Sequence, residues 1–158
     1  MTNTLEASIE IAATPQDVWT IVSDLKRMGE WSPQCRKMRV SGEVREGTKT
    51  FNINRKGLLV WPTTSKVVRF EPNKTIAFRI AENRTIWSYT LEPTETGTRV
   101  VERREAPTGT SKVSQFLVKT VLGGPDAFEA DLVAGMNATL ARIKNAAEAI
   151  STGAVDSR

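Results

Sequence analysis

The stretch IEIAATPQDVWTIVSDLKRMGEWSP, residues 9–33, decides the fold of this chain. Residues 5–12 alternate apolar and polar side chains, which predicts a β-strand with one face in water. Thr14 then suits a helix N-cap, Pro15 suits the first helical position, and Asp17 favours the positive end of the helix dipole. A helix is therefore expected directly after the first strand.

The end of this stretch, GEWSP at residues 29–33, places the largest apolar side chain in a turn. Asp24 begins a second short helical turn, which Gly29 ends. Trp31 then either closes the core from outside or stands at the opening of a cavity. Burial as a plug would stabilise the fold by about 2–3 kcal/mol, and the two roles are compatible.

Six further strands are expected downstream, because short alternating runs are separated by turn-forming residues. They lie at 36–45, 48–55, 58–71, 74–82, 85–93 and 97–106. Successive short strands joined by short turns predict an antiparallel meander. Pro62, inside the third of these runs, indicates an edge or a bulge.

Beyond these strands the apolar period changes from two to three or four. Residues 111–122 are expected to form one helix, which the run Gly123-Gly124-Pro125 interrupts. A helix of about 25 residues, some 37 Å long, then begins at Pro125 and carries an apolar stripe one face wide. Together these elements predict an α+β fold: a curved seven-stranded antiparallel sheet wrapped around a long C-terminal helix, with two short helices after the first strand.

Composition narrows the chemistry and the setting. The chain has 158 residues, a formal net charge of +4, one cysteine and no histidine. Nucleophilic sites that need histidine and the usual zinc sets are thereby excluded. We expect one domain over residues 1–150 with a frayed tail over 151–158. We also expect a cytoplasmic monomer or homodimer with no metal, no cofactor, no nucleic-acid partner and no stable membrane insertion.

Three segments carry a resemblance to a known family: IEIAATPQDVWTIVSDL (9–25), GEWSP (29–33) and GGPDAFEADLVAGMNATLARIKNAAE (123–148). With them the chain resembles the START-like (SRPBCC, helix-grip) superfamily, and more narrowly its polyketide cyclase/dehydrase and lipid-transport branch of small bacterial proteins. The resemblance covers essentially the whole chain. It implies a cavity between the sheet and the C-terminal helix, with Trp31 near its mouth. It leaves the activity open, because members include cyclases, lipid carriers, quinone-binding proteins and regulators.

The candidate ligand-binding residues are mainly the aromatic side chains of the predicted strands and helices. The full set is Trp31, Phe51, Trp61, Phe78, Trp87, Tyr89, Arg103, Phe116, Phe128, Leu132 and Met136. Such side chains suit an apolar cavity for a flat or chain-like ligand, although ordinary core packing explains each of them as well. Tyr89 is a candidate donor to a ligand carbonyl, or a core residue with its hydroxyl at the rim.

The run RVVERREA, residues 99–106, places an arginine on each face of its strand. Whichever face points inward, a buried arginine needs an anionic or hydrogen-bonding partner. A solvated strand face with cross-strand ion pairs is the alternative. Glu102, beside these arginines, is a candidate general base.

Two functions from different classes remain open. The first is binding of a hydrophobic small molecule, such as a lipid, a polyketide or a quinone. The second is a cyclase or dehydratase that folds a carbonyl chain in the same cavity. An enzyme should place at least two polar groups close together inside the cavity, whereas a carrier should have an almost wholly apolar lining. Sequence does not decide between them, because a register shift of one residue inverts every strand face.

Overall fold

The computed structural model describes residues 4–106 and 125–153. In chain order the elements are β1 (Thr4–Ile11), α1 (Pro15–Val22), a 3-10 turn (Leu25–Arg27), α2 (Met28–Trp31), β2 (Cys35–Val40), β3 (Lys49–Lys56), β4 (Leu59–Glu71), β5 (Thr75–Ile80), β6 (Ile86–Thr94), β7 (Gly97–Glu105) and α3 (Pro125–Ser151). The predicted helix at 111–122, with Phe116, lies outside the described residues. Residues 154–158 of the predicted tail also lie outside them.

The strands form one antiparallel sheet in the order β1-β7-β6-β5-β4-β3-β2. Each strand from β2 to β7 pairs with the next along the chain, and β7 returns to pair with β1. The sheet curves around the long helix α3, and two short helices follow β1. The predicted α+β helix-grip fold is therefore confirmed.

Local sequence explains the first helix. The Oγ1 of Thr14 accepts a hydrogen bond from the backbone N–H of Asp17 at 3.2 Å, and Pro15 occupies the first helical position. Val18 and Ile21 of this helix are fully buried in the main core. The N-cap that the sequence predicts is thus confirmed, and it sets the direction in which α1 leaves the sheet.

Strand boundaries agree with the prediction to within about two residues, with one exception. Strand β2 ends at Val40 instead of residue 45, because Gly42 adopts a φ of 82°, a left-handed conformation that breaks the strand. Pro62 pairs with Ile53 of β3, while β4 pairs with β5 only from Ser65 onward. Pro62 therefore lies where its missing N–H is not needed by β5, as the edge prediction requires.

Helix α3 contacts β1, β7, α1 and α2. Its second half enters the main core through Leu140, Ile143 and Ala147, all of which are essentially inaccessible to solvent. Its first half contributes Leu132 and Met136 to a separate, smaller cluster. No helix within the described ranges has both the length and the apolar character needed to cross a membrane.

Gly29, the first residue of GEWSP, allows α2 to approach β2 closely. A Cβ atom at this position would overlap the backbone carbonyl of Arg36, which cannot move away cheaply because it belongs to a paired strand. We therefore expect Gly29→Ala to lower the free energy of unfolding by about 1–3 kcal/mol, as overpacking does. Urea denaturation followed by tryptophan fluorescence measures this change.

Gly135→Ala is the matched control. Gly135 lies inside α3, and its added Cβ would stand at an ordinary 3.6 Å from Pro33 Cγ. Alanine has a higher helix propensity than glycine, so the free energy of unfolding of this variant should rise by about 0.5–1 kcal/mol. Equal unfolding midpoints for the two variants would contradict the close approach of α2 to β2.

Candidate functional site

A pocket of about 460 Å³ opens between the first half of α3, the segment after α2 and the hairpin that joins β3 to β4. Ser32 and Pro33 of the GEWSP motif line one side, and Gly57 of the hairpin turn lines another. Its volume lies within the range of small-molecule sites. The sheet, the long helix and the early helical segment therefore meet around one cavity.

The inner wall of the pocket is apolar. Trp87 on β6 lines it together with Leu132 and Met136 on α3. The two α3 residues belong to the smaller core cluster, against which Trp87 and Phe128 pack. The structure thus brings together four of the predicted residues, with Phe128 supporting the wall.

One acidic side chain interrupts this wall. Glu102 on β7 lines the pocket, yet only 2% of its surface is exposed. The β6–β7 register places Tyr89 directly opposite, and the hydroxyl of Tyr89 donates a hydrogen bond to Glu102 Oε2 at 3.0 Å. Among the described residues, no group hydrogen-bonds to Glu102 Oε1. The buried phenol therefore binds Oε2, while Oε1 is buried and has no partner among the described residues.

Burial determines the protonation state of this carboxyl. Desolvation raises the pKa of Glu102 to about 8, although the hydrogen bond from Tyr89 opposes the shift. Burial, followed by the charge of Glu102, raises the pKa of Tyr89 well above its usual range. Burial thus favours the neutral carboxylic acid at neutral pH, whereas the general base of the sequence-based hypothesis requires the ionised form.

Arg104 lies two residues beyond Glu102 on the same inward face and is also buried. Burial lowers the pKa of its guanidinium, while the charge of Glu129 on α3 acts in the opposite direction. No ion pair joins Glu102 to a lysine or arginine within residues 4–106 and 125–153. No cation of the described residues therefore forms an ion pair with the acid, and desolvation is the largest cause of its raised pKa.

The mouth of the pocket is mainly basic. Arg36, Arg55 and Lys56 line it, and Asp131 is the acidic residue that joins them. Lys56 Nζ pairs with Asp131 Oδ2 at 2.6 Å, and Arg55 Nε donates to the carbonyl oxygen of Gly57 at 2.8 Å. Among the described lining residues, the pocket is thus basic outside and apolar inside, with Glu102 as the acid at its inner wall.

The lining as a whole is mixed, because Ser32, Gln34 and Thr139 add neutral polar groups. The sequence-based criterion for a simple carrier, an almost wholly apolar lining, is not met. These polar groups gave no signal in the sequence, since they lie in a turn and on a helix whose apolar stripe defined the expected inner face.

A second polar feature lies on the inward face of β3 and β4. Thr50, Asn52, Asn54, Thr63 and Ser65 all point to this side, and most of them are buried. The Nδ2 atoms of Asn52 and Asn54 both donate to Thr63 Oγ1, at 3.2 and 3.0 Å. The sequence signal for this feature was the pair of facing strands with polar residues at matching positions. It was missed because the apolar alternation of Phe51 and Ile53 indicated that the opposite face of β3 points inward.

Trp31 answers the question raised by GEWSP. It is 6% exposed and belongs to the main core. The guanidinium of Arg27 stacks over its ring at 4.7 Å, and Arg142 Nη1 donates to its carbonyl oxygen at 3.2 Å. Trp31 therefore anchors the turn, and the residues that follow it form the pocket wall.

Some predicted residues are not brought to this pocket. Phe51 is 46% exposed on the outer face of β3, and Arg103 points outward from β7, where it pairs with Glu6 and Glu105. Side chains alternate between the two faces of a strand. Phe51 and Arg103 therefore point outward, because the adjacent Asn52 and Arg104 are buried on the inward face. Phe78 is buried in the main core on the inward face, and Trp61, near the start of β4, is only partly buried and is not among the described lining residues.

Comparison with known proteins identifies the family to which this chain belongs. Residues 2–148 match the family described as polyketide cyclase/dehydrase and lipid transport. The chain belongs to this family, which confirms the resemblance seen in the sequence. No curated protein matches the chain.

Solved structures support the same fold. The di-domain ARO/CYC StfQ from the steffimycin biosynthetic pathway superposes with a TM-score of 0.77 at 16% identity, covering 95% of this chain and 52% of StfQ. The chain thus spans about half the length of StfQ. The Polyketide_cyc-like protein Cgl2372 from Corynebacterium glutamicum is 29% identical, with a TM-score of 0.66 and coverage of 95% and 94%. KanY is 21% identical, with a TM-score of 0.71 and coverage of 94% and 99%.

The raised pKa of Glu102 predicts a specific pH dependence of stability. Between about pH 4.5 and pH 8 the folded chain keeps a proton on Glu102 that the unfolded chain releases, so the free energy of unfolding falls as pH rises. Glu102→Gln removes this group's contribution. Relative to that variant, the free energy of unfolding of the wild type should fall by about 3 kcal/mol between pH 5 and pH 8. Urea denaturation measures this change.

Glu6→Gln is the control for a general effect of charge, because Glu6 lies on the outer face of β1 and is exposed. It should follow the pH dependence of the wild type. If Glu102→Gln also follows the wild type, Glu102 is not protonated in the folded chain.

Proposed function

We propose that this chain binds a largely apolar small molecule, of lipid, polyketide or quinone type, in the pocket between the sheet and α3. The observation that carries the proposal is the arrangement of the pocket, with Trp87, Leu132 and Met136 on its inner wall and Glu102 beside them. Apolar walls supply affinity, and one placed polar group fixes orientation. The family, which includes lipid transport, is consistent with this role.

The volume supports a ligand of about two to three fused rings or a folded chain, since about 460 Å³ is sufficient for a molecule of that size. The basic mouth, with Arg36 and Arg55, favours entry of a molecule that is neutral or carries a negative group at its outer end. Native mass spectrometry of protein purified from its own host is the direct test of which molecule is retained.

Filling the pocket should abolish binding. Leu132→Trp places an indole where the ligand would lie, because Leu132 is 6% exposed and lines the inner wall. We expect the affinity for the apolar fluorescent probe N-phenyl-α-naphthylamine to fall by about tenfold or more, measured by fluorescence titration.

Val60→Trp is the matched control, because Val60 is 57% exposed and does not line the pocket. It should bind the probe like the wild type. A wild type that does not bind the probe, or a Leu132→Trp variant that binds it normally, would refute the proposed site.

An enzyme of the cyclase or dehydratase type is the second candidate, and Glu102 is the observation that favours it. A buried acid with a pKa of about 8 is protonated at neutral pH and suits general-acid work. In a dehydration, the carbon–oxygen bond of a β-hydroxy ketone breaks while a carbon–carbon double bond forms. Glu102 gives its proton to the departing hydroxyl, and the α-proton restores the carboxyl, so that water is the net loss.

The aldol adduct of acetone and β-naphthaldehyde is a suitable substrate probe for this second candidate. Turnover would give the conjugated enone, lighter by one water and detectable by its longer-wavelength absorption. Wild-type protein should accelerate this reaction over buffer, and Glu102→Gln should not. Binding of the probe without any acceleration would leave the binding function and remove the enzymatic one.

A further inference from the structure

We propose that Glu102 presents a carboxyl O–H from its Oε1 atom to a neutral carbonyl oxygen of the bound ligand, and so selects ligands that carry one. This inference rests on the proposed function, since it concerns a molecule in the same pocket. It adds the residue and the atom that distinguish one apolar molecule from another.

The hydrogen bond between Tyr89 and Glu102 locates the proton. The phenol has one proton, which it donates to Glu102 Oε2 at 3.0 Å. Oε2 therefore acts as the acceptor oxygen of a neutral carboxyl, and the acid proton belongs on Oε1. Within the described residues Oε1 has no hydrogen-bond partner, and Glu102 lines the pocket.

The opposite proton arrangement is less favourable. Glu102 would then donate to the phenol oxygen, and Tyr89 would have to donate to Met28 Sδ at 3.9 Å. A thioether sulfur is a weak acceptor, whereas a carboxyl oxygen is a strong one. The hydrogen-bond partners therefore favour a proton on Oε1, the oxygen that Tyr89 does not contact.

The charges around Glu102 are consistent with a neutral acid. On β7 the next inward residue is Arg104, whose partner charge is Glu129 on α3. Opposite on β1 lies Ala7, and on β6 lies Tyr89. On β2, the burial of Cys35 raises the pKa of its thiol to about 11, so it too is neutral.

Among the described residues, the other charged groups that line the pocket are Arg36, Arg55, Lys56 and Asp131 at the mouth. None of these lies within ion-pair distance of Glu102 in the described part of the chain. Arg104 does not line the pocket, so an ionised ligand carboxylate at the inner wall would be desolvated without a cation of the described lining beside it. A neutral ketone or quinone oxygen can accept the proton of Oε1 without that penalty, whereas a pure hydrocarbon would leave the buried O–H unpaired.

Two probes of nearly equal size and shape test the proposal: methyl β-naphthyl ketone and β-isopropylnaphthalene, which differ mainly in the carbonyl. Isothermal titration calorimetry near pH 6 should show the ketone bound about tenfold more tightly by the wild type, the usual effect of one such hydrogen bond. The preference should disappear as pH rises through about 8, because ionised Glu102 has no proton to donate.

Two variants separate the donor from the rest of the pocket. In Glu102→Gln the amide oxygen accepts from Tyr89 and the amide N–H replaces the carboxyl O–H, so the ketone preference should persist and become independent of pH. In Glu102→Leu combined with Tyr89→Phe, neither the carboxyl nor the phenol that it would free can donate, so the preference should vanish at every pH while the hydrocarbon still binds. Circular dichroism verifies that both variants are folded.

Each outcome decides something. A wild type that binds both naphthalenes equally near pH 6, or a preference that persists in the double variant Glu102→Leu/Tyr89→Phe, would overturn the role of Glu102 and leave the pocket intact. Binding of neither naphthalene, together with no binding of N-phenyl-α-naphthylamine, would overturn the proposed function itself. If the leucine variant fails to fold, the pH independence of Glu102→Gln still decides the question.

Discussion

The packing of α3 against the inner face of the sheet is the constraint on which the pocket depends. The second half of the helix is fixed by Leu140 in the core and by Glu148, whose carboxylate accepts the backbone N–H of Ala12 at 2.8 Å. Because the helix is a single rigid element, fixing one half also sets the position of the other. Leu132 and Met136 thereby stand over β6 and β7 at a distance that leaves a cavity.

Local signals in the sequence were sufficient to predict this framework. Thr14 and Pro15 begin α1, alternation over residues 5–12 gives β1, and Pro125 begins the long helix. Each of these signals acts within one element and needs no knowledge of its neighbours. A meander with one long helix then leaves few alternatives, because short turns force successive strands to pair.

The candidate site was less predictable, because it depends on the face to which each strand turns its side chains. In β3 the apolar Phe51 points to solvent and the polar Asn52 is buried, the reverse of what hydrophobicity suggests. In β7 the inward arginine is Arg104, whereas Arg103 was the one predicted to bind ligand. Register between strands is a long-range property, and a shift of one residue inverts it. Trp87, Leu132 and Met136 line the pocket, and for the two helix residues the apolar stripe indicates the inner face without any choice of strand register; what all three bind remains a proposal.

Glu102 is where stability and function are most clearly opposed. An acid whose pKa is raised to about 8 disfavours the fold by a few kcal/mol at neutral pH and above, relative to an exposed carboxyl. That penalty is a large part of the 5–15 kcal/mol by which domains are typically stable. Tyr89 offsets it only in part, since one hydrogen bond contributes about 1 kcal/mol. A leucine would avoid the ionisation penalty, but it would offer no proton to the ligand oxygen that Glu102 is proposed to contact.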